Sequence, residues 1–397
     1  MSAGQLKIAF VVGEESGDVL GADLLAAMRK ATDAHVTAMG VGGRNLQAAG
    51  LNSLFDPHEI ALMGVTAVIK KLPRLARLIH ETADAIVAAH PDCLIIIDSP
   101  DFTHRVAKRV RKADPGIPII NYVCPSVWAW RPKRAKAMRF YVDEVLAILP
   151  FEVESLKELD GPPATYVGHR LSLDPLFLSA SATQAAAELD RFSDWNRPIQ
   201  LLCLPGSRRG EIERHMNDIR DTLIVLHQRG RHVDVVIPTI ERLKEQVSAQ
   251  VKDWSYLPKI VTSEAQRAEA FSTGDVALAS SGTVTLELAL AGIPTISIYR
   301  TDRIVRLLRS MITTWTASLP NLIADQVVVP EYVDEFIRPG KLARQIETLA
   351  QPGPSRDAQL QGFDLIRERM HTDQPSGDMA AERVFAMIEK KRSKSDS

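Results

Sequence analysis

The segment QLLCLPGSRRGEIERHM, residues 200–216, reads as a buried strand, a tight turn and the first turns of a helix. Its apolar run ends at Leu204, Pro205-Gly206-Ser207 supply turn chemistry, and Ile212 and Met216 fall at helical spacing. The same order of signals is already complete upstream. KIAFVVG (7–13), HVTAMGVGG (35–43), CLIIIDSPD (93–101), PIINYVCPS (118–126), EVLAILP (144–150) and ATYVGH (164–169) are short apolar runs that end in polar or glycine turns. Helix-length amphipathic stretches, such as 18–31 and 73–90, lie between several of them. Continuous apolar strands alternating with helices indicate a mainly parallel sheet covered on both faces. At residue 200 the pattern restarts, and VDVVIP (233–238), KIVTS (259–263), DVALASSGT (275–283) and PTISIYR (294–300) follow as strands.

The expected fold class is α/β, with two doubly wound Rossmann-like domains facing a cleft. A chain of 397 residues exceeds what one core usually supports, which agrees. The expected boundaries are 1–170 for a larger N-terminal domain, 171–198 for a linker, and 199–350 for a smaller C-terminal domain. A helical stretch of about 355–391 follows, able to pack on the N-terminal domain, and 392–397 reads as a disordered tail.

Lys+Arg (48) and Asp+Glu (49) nearly cancel, so the broad basic footprint of a nucleic-acid binder is absent. The three cysteines, Cys93, Cys124 and Cys203, lack metal-ligand spacing and read as buried thiols of a reducing compartment. The opening residues lack the charged n-region and long apolar h-region expected of a signal peptide, and no apolar run approaches the ~18 residues of a membrane span. A cytosolic protein that can touch a membrane surface is the expectation.

In sheets of this kind ligands bind beyond the C-terminal strand ends. In SSGTVTLELALAGIP (280–294), Ser281, Gly282 and Thr283 form a small-residue turn that opens a helix, a geometry suited to phosphate. Glu287, one turn on, can reach a ribose hydroxyl pair. Gly206, Ser207 and Arg208 repeat the arrangement one strand earlier, with a guanidinium to clamp a diphosphate. An ordinary N-cap and a solvated arginine pair are the competing readings; two such turns in one domain favour a nucleoside diphosphate.

In GEESGD (13–18), Glu14 or Glu15 would face the cleft, Ser16 and Gly17 allow close approach of a sugar or phosphate, and Asp18 can cap the helix. Asp98, in IDSPDF (97–102), sits at the mouth of a strongly apolar strand, where a partly desolvated carboxylate suits a general base. His169 in YVGHR is a site residue of second rank. No P-loop, H-E-x-x-H or G-x-S-x-G motif occurs, nor a D-x-D metal clamp, so arginine and helix ends are expected to carry leaving-group charge, with no metal and no cofactor. In SVWAWR (126–131), Ser126, Trp128, Trp130 and Arg131 precede Lys133, Arg134, Lys136 and Arg139. They suit an acyl sugar phosphate and an anionic membrane better than nucleic acid, with aromatic packing of the tryptophan pair as the competing reading. A basic amphipathic stretch at 63–81 points the same way.

GEESGDVLGA, GVGG, LMGV, IDSPDF, YVCPSVWAWR, LPFE, VGH, LPGSRRGEIER, SSGTVTLELAL and SLPNLIAD occur in this order. In these motifs, from about residue 7 to 335, the chain resembles the lipid-A-disaccharide synthase family of bacterial glycosyltransferases. The resemblance implies a B-type glycosyltransferase fold. It also implies transfer of 2,3-diacylglucosamine from its UDP ester to 2,3-diacylglucosamine 1-phosphate, with inversion, at the cytosolic face of the inner membrane. On this basis Asp98 is the expected base, Arg208 the diphosphate ligand and Asn321 a functional site residue. Gly206, Ser207, Ser281, Gly282, Thr283 and Glu287 would join Arg208 in holding UDP. Glu15, Ser16, Gly17, Asp18, Ser126, Trp128, Arg131 and His169 would serve the acceptor. A homodimer is compatible with the sequence. Cys124, Arg170 and Asp334 depart from the family pattern, and Asp334 puts a uridine contact from its position in doubt. The rivals are another UDP-sugar transferase or a UDP-N-acetylglucosamine epimerase on the same fold, and an inactive lipid or nucleotide binder.

Overall fold

Cys93–Ile97 (β4) buries every side chain, as a strand must when helices cover both faces of its sheet. In the computed structural model, which describes residues 4–61, 68–188, 197–301 and 312–395, β4 pairs in parallel with Gln5–Val12 (β1) and Ile119–Tyr122 (β5). His35–Val41 (β2), Asn52–Ser53 (β3), Glu144–Ala147 (β6) and Ala164–Tyr166 (β7) complete a parallel sheet of order β3-β2-β1-β4-β5-β6-β7. The period of two divides β1 between two cores. Ile8, Phe10 and Val12 pack with Leu24, Leu25 and Met28, whereas Ala9 and Val11 face Ile79, Val106 and Val110.

The second sheet comprises Ile199–Leu204 (β8), Val233–Pro238 (β9), Lys259–Val261 (β10), Val276–Ser280 (β11), Thr295–Tyr299 (β12) and Glu331–Val333 (β13). Its order is β10-β9-β8-β11-β12-β13, again parallel. Each sheet therefore reverses direction of growth once, between β1 and β4 and between β8 and β11.

The compact units are Met1–Arg170 with Thr372–Ser397, and Leu171–His371. The supposed linker is largely not one. Pro175–Ala187 is a helix capped by Asp174, and Phe177, Ala180 and Gln184 are buried in the second unit. Gln184 donates to the carbonyls of Phe271 and Gly274 at 2.9 Å. Its Ala/Ser-rich sequence carries too weak an apolar stripe to announce a buried helix. Residues 189–196 of that stretch lie outside the described residues. The second unit is thus no smaller than the first.

The long C-terminal helix divides in two. Pro354–Met370 stays with the second unit, while Ser376–Ser395 packs on the helix Glu15–Ala31 through Ala380, Ala381, Val384 and Ile388. The expected tail is helical through Ser395, and Arg392 pairs with Asp92. Of the basic stretch 63–81, residues 63–67 lie outside the described residues. The helix Val68–Ala89 buries Leu78 and Ile79 and exposes Arg74 and Arg77. No described helix is long and apolar enough to cross a membrane.

Candidate functional site

The strand order places the chemistry. Where a doubly wound sheet reverses its growth, the loops beyond the two central strands diverge and leave a crevice. In the first unit those loops begin at Gly13 and Asp98; in the second, at Pro205 and Ser281. Each crevice has its own chemistry.

Asp98 and Ser99 both adopt the left-handed region, with φ of +55° and +38°. A non-glycine residue there is uncommon, and two in succession turn the strand end sharply. The result brings the Asp98 carboxylate over the N-terminus of the helix Glu15–Ala31. Ser16 Oγ donates to Asp98 Oδ2 at 3.3 Å and the Gly17 N–H donates to the same carboxylate. Gly17 is required by closeness: a Cβ there would lie 2.3 Å from Asp98 Oδ2. Burial, and then the Glu14 charge, push the Asp98 pKa up to about 6, outweighing the two hydrogen bonds. Asp98 is therefore a half-buried carboxylate still ionised at neutral pH yet unusually basic. Of the two glutamates, Glu14 acts on it, while Glu15 is exposed as the first residue of the helix.

Asp18 does other work than expected. The helix already starts at Glu15, and Asp18, 3% exposed, turns its carboxylate away. It accepts from Gly43 N (2.7 Å), Asn45 N (2.8 Å), Asn45 Nδ2 (3.0 Å) and Leu46 N (3.3 Å), capping the neighbouring helix Arg44–Ala48. With its oxygens so occupied it is a scaffold residue, not an acceptor ligand.

The tryptophan loop follows β5. Ser126 is exposed and its carbonyl accepts from Ala129 and Trp130 N–H. Trp128 packs edge-on to Phe151 at 5.1 Å and donates to Glu152 Oε1 at 3.4 Å. Glu152, from LPFE, is buried and accepts from Ile148 and Leu149 N–H; burial raises its pKa to about 7. Trp128 is thus held as packing. Trp130 instead carries the Arg131 guanidinium over its ring at 4.3 Å, and Arg131 is exposed at φ +56°. The following basic run is partly neutralised by acids from elsewhere: Asp101 pairs with Arg134 (2.8 Å) and Asp160 with Lys136 (3.1 Å) and Arg139. His169 is half-buried beyond β7, and burial with the Arg170 charge lowers its pKa to about 4, so it is neutral.

In the second unit Gly206 turns at φ +123°, where a Cβ would strike Glu211. The Glu211 carboxylate accepts from Ser207 N at 3.1 Å and Arg208 N at 3.3 Å, so these amides are already satisfied within the turn. The expected backbone anion cradle is filled from inside; what the turn offers is the Arg208 guanidinium, 79% exposed and held at 3.3 Å by Glu211. The other turn is open. Gly282, φ +148°, precedes the helix Thr283–Leu290 with no side-chain cap, and the space where a Cβ would stand is open. Ser281 Oγ donates to the Ala317 carbonyl at 3.2 Å, and Thr283 is exposed. One oxygen of Glu287 accepts from Arg267 at 2.6 Å, which fixes the carboxylate one turn into the helix.

Asn321 is 1% exposed and its amide is fully engaged. Oδ1 accepts from Val328 N and Val329 N (2.9 and 2.7 Å), and Nδ2 donates to the Val329 carbonyl at 2.9 Å and lies 3.3 Å from Thr316 Oγ1. It holds the segment that receives Ser281 rather than meeting a ligand. Asp334 is buried too, accepting from Thr301 N at 2.9 Å and Thr301 Oγ1 at 2.5 Å, so its side chain is not turned toward a nucleobase. Sequence reasoning missed Glu152, Arg267 and His215, because each acts through a partner distant in sequence.

Comparison with known proteins covers both units at once. A sequence model of the lipid-A-disaccharide synthetase family matches residues 8–380. The lipid-A-disaccharide synthase of Nitrobacter winogradskyi is 44% identical over 390 residues, 98% of this chain and 97% of that protein. Among solved structures, MurG of Acinetobacter baumannii covers 97% of this chain and 99% of its own, with a TM-score of 0.57 at 14% identity. A UDP-GlcNAc 2-epimerase of Neisseria meningitidis bound to UDP-GlcNAc covers 97% and 100%, with a TM-score of 0.57 at 12% identity. At such identity these two show the fold, that of the B-type glycosyltransferases, and nothing about the reaction. The sequence match is of another order, since it runs through the Asp98 crevice and the Arg208 and Gly282 turns alike: the chain belongs to the lipid-A-disaccharide synthase family.

Proposed function

We propose that this chain transfers 2,3-diacylglucosamine from its UDP ester to the 6-hydroxyl of 2,3-diacylglucosamine 1-phosphate, with Asp98 as general base. Asp98 takes the hydroxyl proton, the oxygen attacks the donor anomeric carbon, and the bond from that carbon to the UDP oxygen breaks with its electron pair leaving on UDP. A single displacement inverts the anomeric centre and gives the β-1,6 linkage. One observation carries the reading: a carboxylate at the sheet's reversal point whose basicity is raised by burial and Glu14 while Ser16 and Gly17 fix its direction. A base that is ionised at neutral pH yet has a pKa near 6 suits proton removal in the rate-limiting step.

The exposed Arg208 and the uncapped Gly282 turn suit the leaving diphosphate, and Glu287 the ribose. An exposed Arg208–Glu211 pair is worth little by itself, so a diphosphate competes for that guanidinium readily. Asn321 and Glu211 position these groups. Acyl chains on both substrates suit a reaction at a membrane surface, and an anionic cytosolic face is the one this reading takes; Arg74, Arg77 and the Trp130–Arg131 pair are the side chains suited to face it.

The test incubates purified protein with UDP-2,3-diacylglucosamine and 2,3-diacylglucosamine 1-phosphate, chelator present, following UDP and disaccharide for wild type and Asp98→Asn. Equal amounts of both products from wild type, and a fall of ~10²-fold or more in the variant, are expected. Equal rates from the two proteins would remove Asp98 from its role. Turnover of unacylated UDP-N-acetylglucosamine instead would favour a transferase or epimerase of soluble sugars.

A further inference from the structure

His215 lies on the apolar stripe of the helix Arg209–Gln228, between Ile212 and Ile219, and is fully buried. A buried imidazole is costly unless both nitrogens are partnered. Here they are, by two segments that are distant in sequence. Nδ1 lies 2.8 Å from the Pro205 carbonyl, which can only accept, so Nδ1 bears the hydrogen. Nε2 lies 3.0 Å from the Arg300 backbone nitrogen, which can only donate, so Nε2 offers its lone pair. One neutral tautomer satisfies both bonds, and a protonated ring would set a donor against the Arg300 N–H. Burial lowers the His215 pKa, opposed by the Pro205 hydrogen bond and the Asp218 and Glu211 charges and assisted by Arg214.

The two ends of this bridge matter. Pro205 opens the turn that carries Arg208, and Arg300 directly follows β12. Asp218, one turn further along the same helix face, grips the Arg300 guanidinium at 2.8 and 2.5 Å. The β12 end is therefore a fixed post, and His215 ties the turn to it. A leucine would fill this position in the core equally well, so core packing alone does not account for the imidazole.

We propose that His215 is a positioning residue for nucleotide binding: its bridge from the Pro205 carbonyl to the Arg300 N–H holds the Pro205–Arg208 turn in the form that receives a nucleoside diphosphate. This rests on reading that turn as a diphosphate site, and it adds the residue that shapes it.

The experiment titrates UDP into the full-length chain by calorimetry and records the melting temperature of each variant. His215→Asn retains a donor near the Nδ1 position; His215→Gln extends to the Nε2 position and keeps only the Arg300 side; His215→Leu keeps neither. Loss of the Pro205 bond should weaken UDP about tenfold, in Leu and Gln alike, as one buried hydrogen bond of ~1.4 kcal/mol implies. His215→Asn should bind within about threefold of wild type, whatever its melting temperature. If Leu fails to fold, the Asn and Gln variants decide the question. Wild-type affinity in folded Gln, or affinity in Asn as poor as in Gln, would overturn the proposal and leave His215 a packing residue. No UDP binding by wild type would instead overturn the reading of the turn itself.

Discussion

At the scale of single residues, Asp98 shows a conflict between stability and chemistry. Its pKa is raised from the ordinary 3.8 to about 6, so folding disfavours the ionised form. Two signs follow. With Asp98 as the proposed base the rate needs its ionised form, so kcat/KM should fall as pH drops through about 6, and a pH–rate profile in wild type should show that acid limb. Stability runs the other way: the fold is relatively favoured below pH 3.8 and loses that advantage as pH rises from 3.8 toward 6. At neutral pH Asp98→Asn should therefore raise stability by ~1–2 kcal/mol while removing the base, since each tenfold weakening of the acid on folding costs ~1.4 kcal/mol and part of a hydrogen bond is lost in exchange. Thermal melts at pH 7.5 and 5 check this, and the gain should shrink at the lower pH. Gly17 belongs to the same argument. A methyl at 2.3 Å must push the carboxylate aside, so Gly17→Ala should lower kcat by ~10²-fold, the usual penalty for displacing a reacting group by about 1 Å. UDP binding, measured by calorimetry, should be unchanged.

At the scale of elements, Asp18 and Asn321 look like site residues in the sequence and prove to be joints. Each is a small polar side chain that gathers several N–H groups from a segment elsewhere in the chain, and each is buried. A motif cannot distinguish a carboxylate aimed at substrate from one aimed at a neighbouring helix, because both stand close to a strand end. The distinction is testable. Asp18→Ala leaves four donors without their acceptor at the start of Arg44–Ala48, and should destabilise the protein by ~2–4 kcal/mol. Urea midpoints measure that loss, while the KM of the folded variant for either substrate should stay close to wild type. A raised KM without loss of stability would return Asp18 to the acceptor site. The Glu211 capping of the Pro205–Arg208 turn was equally hidden, since an acid two residues beyond an arginine pair reads as a solvated charge.

At the scale of the whole molecule, the last helix belongs to the first sheet. Ser376–Ser395 buries Ala380, Ala381, Val384 and Ile388 against the helix Glu15–Ala31, and Arg383 grips buried Glu144 at 2.7 Å. Three apolar side chains of the size of Val384, Met387 and Ile388 are worth ~1.5–3 kcal/mol each, a sum comparable with the stability of a domain. A chain ending at His371 should therefore lose the cooperative unfolding of the first unit, seen as exposed-surface dye binding at 25 °C, with UDP binding retained by the second. Cooperative unfolding of both units in that truncated chain would show the helix to be dispensable.

Much of this was legible in the residues alone. Buried parallel strands are long apolar runs because both faces are covered, so CLIII and VALAS announce themselves and fix the fold class. The edge strands β3 and β13, of two and three residues, leave no such trace. The strand-end positions of Asp98, Arg208 and Gly282 were likewise legible, since strand ends in such a sheet face its crevice whatever else the chain does. Pairing was not. Which carboxylate meets Ser16, which caps Arg44–Ala48, what holds Trp128, and where the last helix docks depend on contacts between residues far apart in sequence. Local composition determines what a segment can do; only the packing of segments on one another determines which hydrogen bonds remain for a substrate.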